Sequence, residues 1–151
     1  MSLIGAAYHD ERRAARERRS LATALIAEFN GAIQIEQEVG YRAEYQRCLD
    51  QIRAGHPEPM PNFHYEWDGG RSIYYTNLPR IGILPENVTN KLIRGASAFQ
   101  VVVADRQCMD RGDWNTQSPE KRADMLARHL QMYDQVLVLC GEIITDLRKV
   151  K

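Results

Sequence analysis

The chain has 151 residues, of which 44% are hydrophobic and 26% are charged, and its 20 basic residues are balanced by 20 acidic ones. This length and composition are typical of one soluble globular domain that buries its own core. They exclude a broadly basic nucleic-acid binder and a highly charged disordered chain, and the apolar runs fall far short of the roughly 18 residues that a membrane span needs.

The first predicted element is a long helix over residues 8–53. This stretch contains no proline, and its apolar side chains recur at steps of three and four residues, as on one face of a helix. The stripe begins with Leu21, Leu25 and Phe29. Gly31 and Gly40 each weaken a helix interior and mark the two places where this helix can bend.

A proline-rich, aromatic connection follows. Gly55 and three prolines at alternate positions end the first helix. The aromatic residues of the connection are Phe63, Tyr65, Trp67, Tyr74 and Tyr75. They alternate with polar residues around the turn signal Asp68-Gly69-Gly70, which favours a short two-stranded β-hairpin, with an extended packed loop as the alternative. The cluster either caps a helical core or forms a recognition surface, and capping is the favoured interpretation.

Two further helices complete the chain. Proline in the first turn and a stripe from Val88 to Met109 predict a second helix over residues 85–109. Ser118-Pro119-Glu120 predicts the start of a third, whose stripe is the most regular in the chain and runs to Leu147. The short connection makes these two helices antiparallel neighbours. We therefore predict a mainly α fold, a three-helix antiparallel bundle with one long N-terminal helix.

Helix lengths divide the chain into an arm, residues 1–20, and a bundle domain, residues 21–151. At 1.5 Å per residue the first helix measures about 68 Å, whereas the other two measure about 38 and 48 Å, so its first turns must project. The arm carries a basic cluster of Arg12, Arg13, Arg16, Arg18 and Arg19. We expect the arm to be frayed, or tied to a partner outside the chain.

An anionic membrane surface is one partner that the arm suits. The apolar residues 3–8 followed by arginines are typical of the cytoplasmic end of a membrane helix. Nucleic acid is not expected, because three acidic residues lie among the arginines and no aromatic platform accompanies them. The three widely spaced cysteines favour a reducing compartment, and no secretory signal is recognisable. We expect a cytoplasmic location, either free or at the inner face of the membrane.

Three segments carry a resemblance that covers the chain from about Arg18 onward. They are residues 21–28 (LATALIAE), 72–77 (SIYYTN) and 81–86 (IGILPE). In general pattern the chain resembles uncharacterised bacterial proteins in which one N-terminal membrane helix precedes a cytoplasmic all-helical domain. The resemblance implies an all-helical fold and an anchored or truncated protein, but no activity, cofactor or site residue.

Few residues suggest a catalytic or metal-binding role. His129 lies on the third helix's apolar stripe, where we expect a hydrogen-bonded core residue. Glu36 lies on the first helix's stripe, where we expect it either to be exposed by a shift in register or to pair with an arginine such as Arg94 or Arg106. No spacing indicates a metal site, and no motif indicates a cofactor.

The favoured function is a non-catalytic helical interaction or scaffold domain that binds a protein partner or a second copy of itself. The expected oligomer contact is Leu21, Leu25 and Phe29, because the other helices end near this part of the stripe. The alternative is a small-ligand-binding protein or an enzyme with its site near His64, Glu66 and the aromatic connection.

Overall fold

The computed structural model describes residues 3–56, 72–110 and 114–150, with side chains from His9 onward. All regular structure in these ranges is helical, which confirms the predicted mainly α class. The α-helices are α1 (Leu3–Val39), α2 (Tyr41–Arg53), α3 (Ile73–Thr76), α4 (Glu86–Asp110) and α5 (Pro119–Leu147). Two 3₁₀ segments, Leu78–Ile83 and Trp114–Thr116, lie between them.

The predicted first helix is divided at Gly40. This residue has φ 71° and ψ 38°, a left-handed conformation that glycine adopts without strain from a Cβ. Its N–H donates to the Glu36 carbonyl at 2.8 Å, and its own carbonyl accepts from the Glu44 N–H at 3.0 Å. Gly40 therefore donates a hydrogen bond to the end of α1 and accepts one from the start of α2. The two helices meet at a bend of a single residue.

Helix α5 packs against α1, α2 and α4. The pairs Lys91–Asp146, with Nζ and Oδ2 2.7 Å apart, and Asp105–His129, with Oδ2 and Nδ1 2.8 Å apart, lie in opposite order along α4 and α5, so these helices are antiparallel. Gly95 lets them approach closely, since a Cβ at this position would lie 2.8 Å from the Cδ1 of Ile143.

The core divides into clusters along α5. One cluster surrounds the C-terminal part of α5 and contains Leu21, Leu25, Tyr74, Ile81, Leu84, Val88, Leu92, Ile143 and Leu147. Another surrounds its N-terminal part and contains Tyr45, Cys48, Leu49, Ile52, Met109, Trp114, Leu126 and Leu130. The first cluster joins the three segments that carry the resemblance, because each of them contributes buried side chains to it.

The predicted hairpin is wrong in its second strand. Residues 73–76 form one helical turn, α3, with Ser72 as its N-cap. The Glu28 carboxylate accepts from the N–H groups of Ile73 and Tyr74, which supplies partners for free donors of this turn. Residues 57–71, which include the proposed first strand, lie outside the described residues.

Candidate functional site

A cavity of about 380 Å³ lies between α1, α2, α4 and α5. Its apolar wall is formed by Ile33, Phe99, Val102, Val136 and Cys140. Its polar end is formed by Glu36, Tyr41, Tyr45, Arg106, His129 and Tyr133. Apolar walls with a few polar groups gathered at one end are typical of small-molecule sites.

Glu36 joins the bend at Gly40 to α5. One carboxylate oxygen accepts from the Arg42 backbone N–H at 3.0 Å, and the other accepts from the Tyr133 hydroxyl at 2.5 Å. The predicted ion pair with Arg94 or Arg106 is therefore wrong, because a helix N–H and a phenol are the partners of this carboxylate. Burial and the bond to Glu36 raise the pKa of Tyr133, so its hydroxyl stays protonated and remains a donor.

A second contact holds the same bend against α5. The Arg42 guanidinium forms two hydrogen bonds with the Asp134 carboxylate, at 2.6 and 3.0 Å. Because Tyr133 and Asp134 are neighbours in α5, the side chains of Glu36 and Arg42 attach both sides of the bend to one turn of that helix.

Arg106 lies beside Tyr45 at the polar end. Its guanidinium carbon is 5.7 Å from the centre of the Tyr45 ring, and its Nε and Nη2 bond to the Asp110 carboxylate at 3.0 and 2.8 Å. Asp110 therefore balances the charge of Arg106. Burial raises the pKa of Tyr45 to about 12, so this second phenol is also protonated at neutral pH.

His129 is the hydrogen-bonded core residue that the sequence predicts. It is 1% exposed, and its Nδ1 lies 2.8 Å from the Asp105 carboxylate. Its ring stacks on Tyr133, with ring centres 6.3 Å apart, and meets Tyr45 edge to face at 4.8 Å. Burial lowers the pKa of His129, and Asp105 opposes that shift, so the imidazole is held neutral at physiological pH.

The cysteines do not add a nucleophile to the cavity. Cys140 lines it, but burial raises the pKa of its thiol to about 11, whereas nucleophilic thiols need a lowered pKa. Cys48 is buried in the core, whereas Cys108 is exposed.

The predicted oligomer contact lies inside the chain's own core. Leu21 and Leu25 are 4% and 0% exposed, and the partly buried Phe29 packs beside them. A partner could contact the two leucines only if this core were opened.

The basic arm continues as helix. Among its arginines Arg18 is half-buried, and the exposed ones are Arg12, Arg13, Arg16 and Arg19. Arg13 pairs with Glu17 at 3.2 Å, and Glu17 in turn lies 3.9 Å from Arg80 in the 3₁₀ segment.

The described part of the aromatic cluster caps the core. Tyr74 is buried, and Tyr75 is half-buried with its hydroxyl accepting from Gln100 at 2.6 Å. The burial of Tyr74 agrees with the favoured interpretation, in which the aromatic residues cap the core. The other candidates lie outside the described residues; they are Phe63, His64, Tyr65, Glu66 and Trp67.

Glu28 attaches α3 to α1, a role that no motif in the sequence predicts. Its carboxylate accepts from the Ser72 hydroxyl at 2.6 Å and from the N–H groups of Ile73 and Tyr74 at 3.0 and 2.9 Å. Glu28 and Glu36 lie two turns apart on α1, and each caps the start of another helix. Only the apolar surroundings of Glu28 in the stripe could have signalled this role.

The described residues contain neither a metal-binding cluster nor a membrane-spanning helix. Within residues 3–56, 72–110 and 114–150, no group of three or more His, Cys, Asp or Glu side chains is placed to hold a metal ion. In the same ranges, no helix combines the length and the apolar composition that crossing a bilayer requires.

Comparison with known proteins gives no match: no protein family, no curated protein and no solved structure is recognisably similar to this chain.

Proposed function

We propose that this chain is a non-catalytic helical interaction domain that attaches to an anionic membrane surface through the basic arm of α1. In this proposal the three rods α1–α2, α4 and α5 act as one antiparallel bundle, and the arm is its attachment element. The observation that carries the proposal is the continuation of α1 for about 27 Å before its first core residue, Leu21, with exposed arginines along it.

The arrangement of charges on the arm supports this proposal. Arg12, Arg16 and Arg19 are spaced by four and three residues, so their side chains lie on one face of the helix. Glu17 is directed to Arg13 and Arg80, which leaves it bonded away from that face. Basic side chains clustered on a helix contribute on the order of 1 kcal/mol each to binding an anionic surface.

The buried groups support a binding role over a catalytic one. At the polar end of the cavity, Glu36 and Tyr133 bond to each other, and His129 bonds to Asp105. The raised pKa of Tyr133 and the lowered pKa of His129 keep both groups uncharged. These bonds fix the helices relative to one another, and each of these polar groups already has a partner inside the protein.

The test is co-sedimentation of the full chain with vesicles of phosphatidylserine and phosphatidylcholine against vesicles of phosphatidylcholine alone. We expect binding to the anionic vesicles that weakens as salt is added. Replacement of Arg12, Arg13, Arg16 and Arg19 by glutamine should reduce that binding at least tenfold.

A matched control removes the same charge from the bundle. It replaces four exposed arginines outside the arm with glutamine, namely Arg53, Arg94, Arg128 and Arg148. This control should retain at least half of the vesicle binding. Equal losses in both variants would show that only overall charge matters and would overturn the role of the arm.

A second copy of the chain is a further proposed partner. Because Leu21 and Leu25 are buried, we place the contact at Ile35 and Val39, which are one turn apart on α1 and 47% and 51% exposed. Sedimentation velocity over a hundredfold range of concentration tests it, with Val39→Asp expected to shift the chain to monomer. Val101→Asp on α4 is the control, since Val101 is 52% exposed.

A further inference from the structure

We propose that the cavity between α1, α2, α4 and α5 is a binding site for a small amphiphilic amine, with the ammonium group at Glu36 and the apolar tail among Phe99, Val102 and Val136. This inference rests on the cavity alone and is independent of the role of the arm.

The shape of the cavity favours a small apolar molecule. A volume of about 380 Å³ lies in the lower part of the range for small-molecule sites. Three side chains of the wall are almost fully shielded from solvent: Val102, Val136 and Cys140 are 5%, 6% and 8% exposed. The apolar tail would lie against them. Transfer of apolar surface from water into such a wall is favourable.

The charges at the cavity favour a cation. Glu36 is a carboxylate whose two oxygens each hold one hydrogen bond and can accept another. Arg106, which would attract an anion, is already bonded through two nitrogens to Asp110. Glu28, also on the wall, is directed to α3. A ligand carboxylate would therefore meet two carboxylates and one neutralised guanidinium, whereas an ammonium would meet a carboxylate with free lone pairs.

Aromatic rings add to this preference. Tyr41, Tyr45 and Tyr133 line the same end as Glu36, with one face of Tyr45 already against Arg106 and one face of Tyr133 stacked on His129. The faces of aromatic rings attract ammonium groups, and the attraction increases when water is excluded. Carboxylate and rings together recognise the charge, and the apolar wall recognises the tail.

The probes are three molecules that share one eight-carbon tail: n-octylamine, n-octanol and octanoate. Isothermal titration calorimetry with the full chain at pH 7 measures the affinity of each. We expect n-octylamine to bind at least tenfold more tightly than n-octanol, and octanoate to bind more weakly than both. Equal affinities, or the tightest binding by octanoate, would overturn the assignment to an amine.

Glu36→Gln separates charge from shape. The amide oxygen keeps an acceptor for Tyr133, the amide nitrogen replaces the oxygen that accepts from the Arg42 N–H, and the negative charge is removed. The affinity for n-octylamine should fall to within threefold of that for n-octanol, with n-octanol binding unchanged. Unchanged n-octanol binding also shows that the variant is folded and its cavity intact. A retained preference for the amine in this variant would overturn the role of Glu36.

Two glycines provide a matched pair that tests the location. Gly31 lines the cavity, and a Cβ there would meet no atom within 4 Å, so we expect Gly31→Leu to occupy part of the cavity without a clash at its Cβ. Gly141 on α5 has equally open space but does not line the cavity. Gly31→Leu should weaken n-octylamine binding at least tenfold, whereas Gly141→Leu should leave it within twofold. The reverse pattern, or no change in either variant, would overturn the location.

Discussion

The Glu36 carboxylate and the Tyr133 hydroxyl connect residues that lie 97 positions apart in the sequence. The same carboxylate accepts from the N–H of Arg42, so one side chain both caps α2 and attaches it to α5. A carboxylate at a helix N-terminus also meets the positive end of the helix dipole. Glu36 therefore fixes where α2 begins and how it lies against α5.

Tyr133→Phe tests the strength of this connection. The substitution removes the hydroxyl and leaves the half-buried carboxylate of Glu36 with one partner fewer. Hydrogen bonds to charged groups contribute about 1.5–3 kcal/mol, so we expect the free energy of unfolding in urea to fall by about 2 kcal/mol.

Tyr75→Phe is the control for Tyr133→Phe. Its hydroxyl accepts from the amide of Gln100, an exposed bond between neutral groups. The free energy of unfolding should change by no more than about 0.5 kcal/mol. An equal effect of the two substitutions would contradict a special role of the Glu36 contact.

Gly40→Ala tests the bend between α1 and α2. Gly40 has φ 71°, and an L-residue in the left-handed region costs roughly 1–2 kcal/mol. We expect a fall of that size in the free energy of unfolding, measured by chemical denaturation. Gly31→Ala, at a helical position with open space, should instead stabilise the chain by about 1 kcal/mol. Stabilisation by both substitutions would show that the bend is not maintained in solution.

The longest elements could be predicted because their signals are local. The apolar stripes of α4 and α5 repeat over many turns, and Ser118 with Pro119 forms the N-terminus of α5 as predicted. Gly40 was one of two glycines at which the first helix could bend, and the structure bends there. No neighbouring sequence feature distinguishes Gly40 from Gly31, because the position of the bend is selected by packing against α5.

The candidate site could not be predicted because its contacts join distant parts of the chain. Glu28 bonds to residues 44–46 positions away, and Glu36 bonds to Tyr133. In the sequence, both glutamates are acidic residues on or near an apolar stripe. No sequence pattern predicts which residues their carboxylates bond to. The segment that begins at Ser72 and Ile73 was mispredicted for the same reason. Its alternating aromatic residues favour a strand, but the carboxylate of the distant Glu28 caps a helical turn there.

Glu28→Ala tests the attachment of α3 to α1. The substitution leaves the N–H groups of Ile73 and Tyr74 and the Ser72 hydroxyl without this acceptor, and Ser72 and Tyr74 are buried. We expect a loss of about 2–3 kcal/mol in the free energy of unfolding, and faster hydrogen exchange of the Tyr74 amide.

Glu38→Ala provides the comparison for Glu28→Ala. Glu38 is an exposed acid on the same helix, and its carboxylate accepts from the Gln34 amide at 2.7 Å. Glu38→Ala should change the free energy of unfolding by about 0.5 kcal/mol or less and leave the hydrogen exchange of the Tyr74 amide unaltered. Slow exchange in Glu28→Ala would argue against the capping role.

Gly95→Leu tests the close approach of α4 and α5. A Cβ at this position lies 2.8 Å from Ile143 Cδ1, and Ile143 is 0% exposed, so it has little space to move. We expect overpacking to lower the free energy of unfolding by about 2 kcal/mol. Gly141→Leu, which adds the same side chain where a Cβ meets no atom within 4 Å, should be neutral or stabilising. Similar stability of the two variants would contradict this packing.

The burial of His129 makes the stability of the chain depend on pH. Burial lowers the pKa of this imidazole in the folded state, so below about pH 6.5 the unfolded chain takes up a proton that the folded chain resists. The contribution of neutral His129 is therefore fully present above that pH and is lost as pH falls toward the lower pKa of the folded state. The slope for one such group cannot exceed about 1.4 kcal/mol for each pH unit.

Urea denaturation at pH 7.5, 6.5 and 5.5 measures this dependence, with His129→Gln as the reference. Glutamine keeps a hydrogen-bond donor for Asp105 but does not titrate, so the difference between the two chains isolates the histidine. We expect the parent chain to lose more stability than His129→Gln between pH 7.5 and 5.5. An equal loss in both would mean that the imidazole is protonated as easily in the folded state as in the unfolded one, because the Asp105 carboxylate would then fully offset the cost of burial.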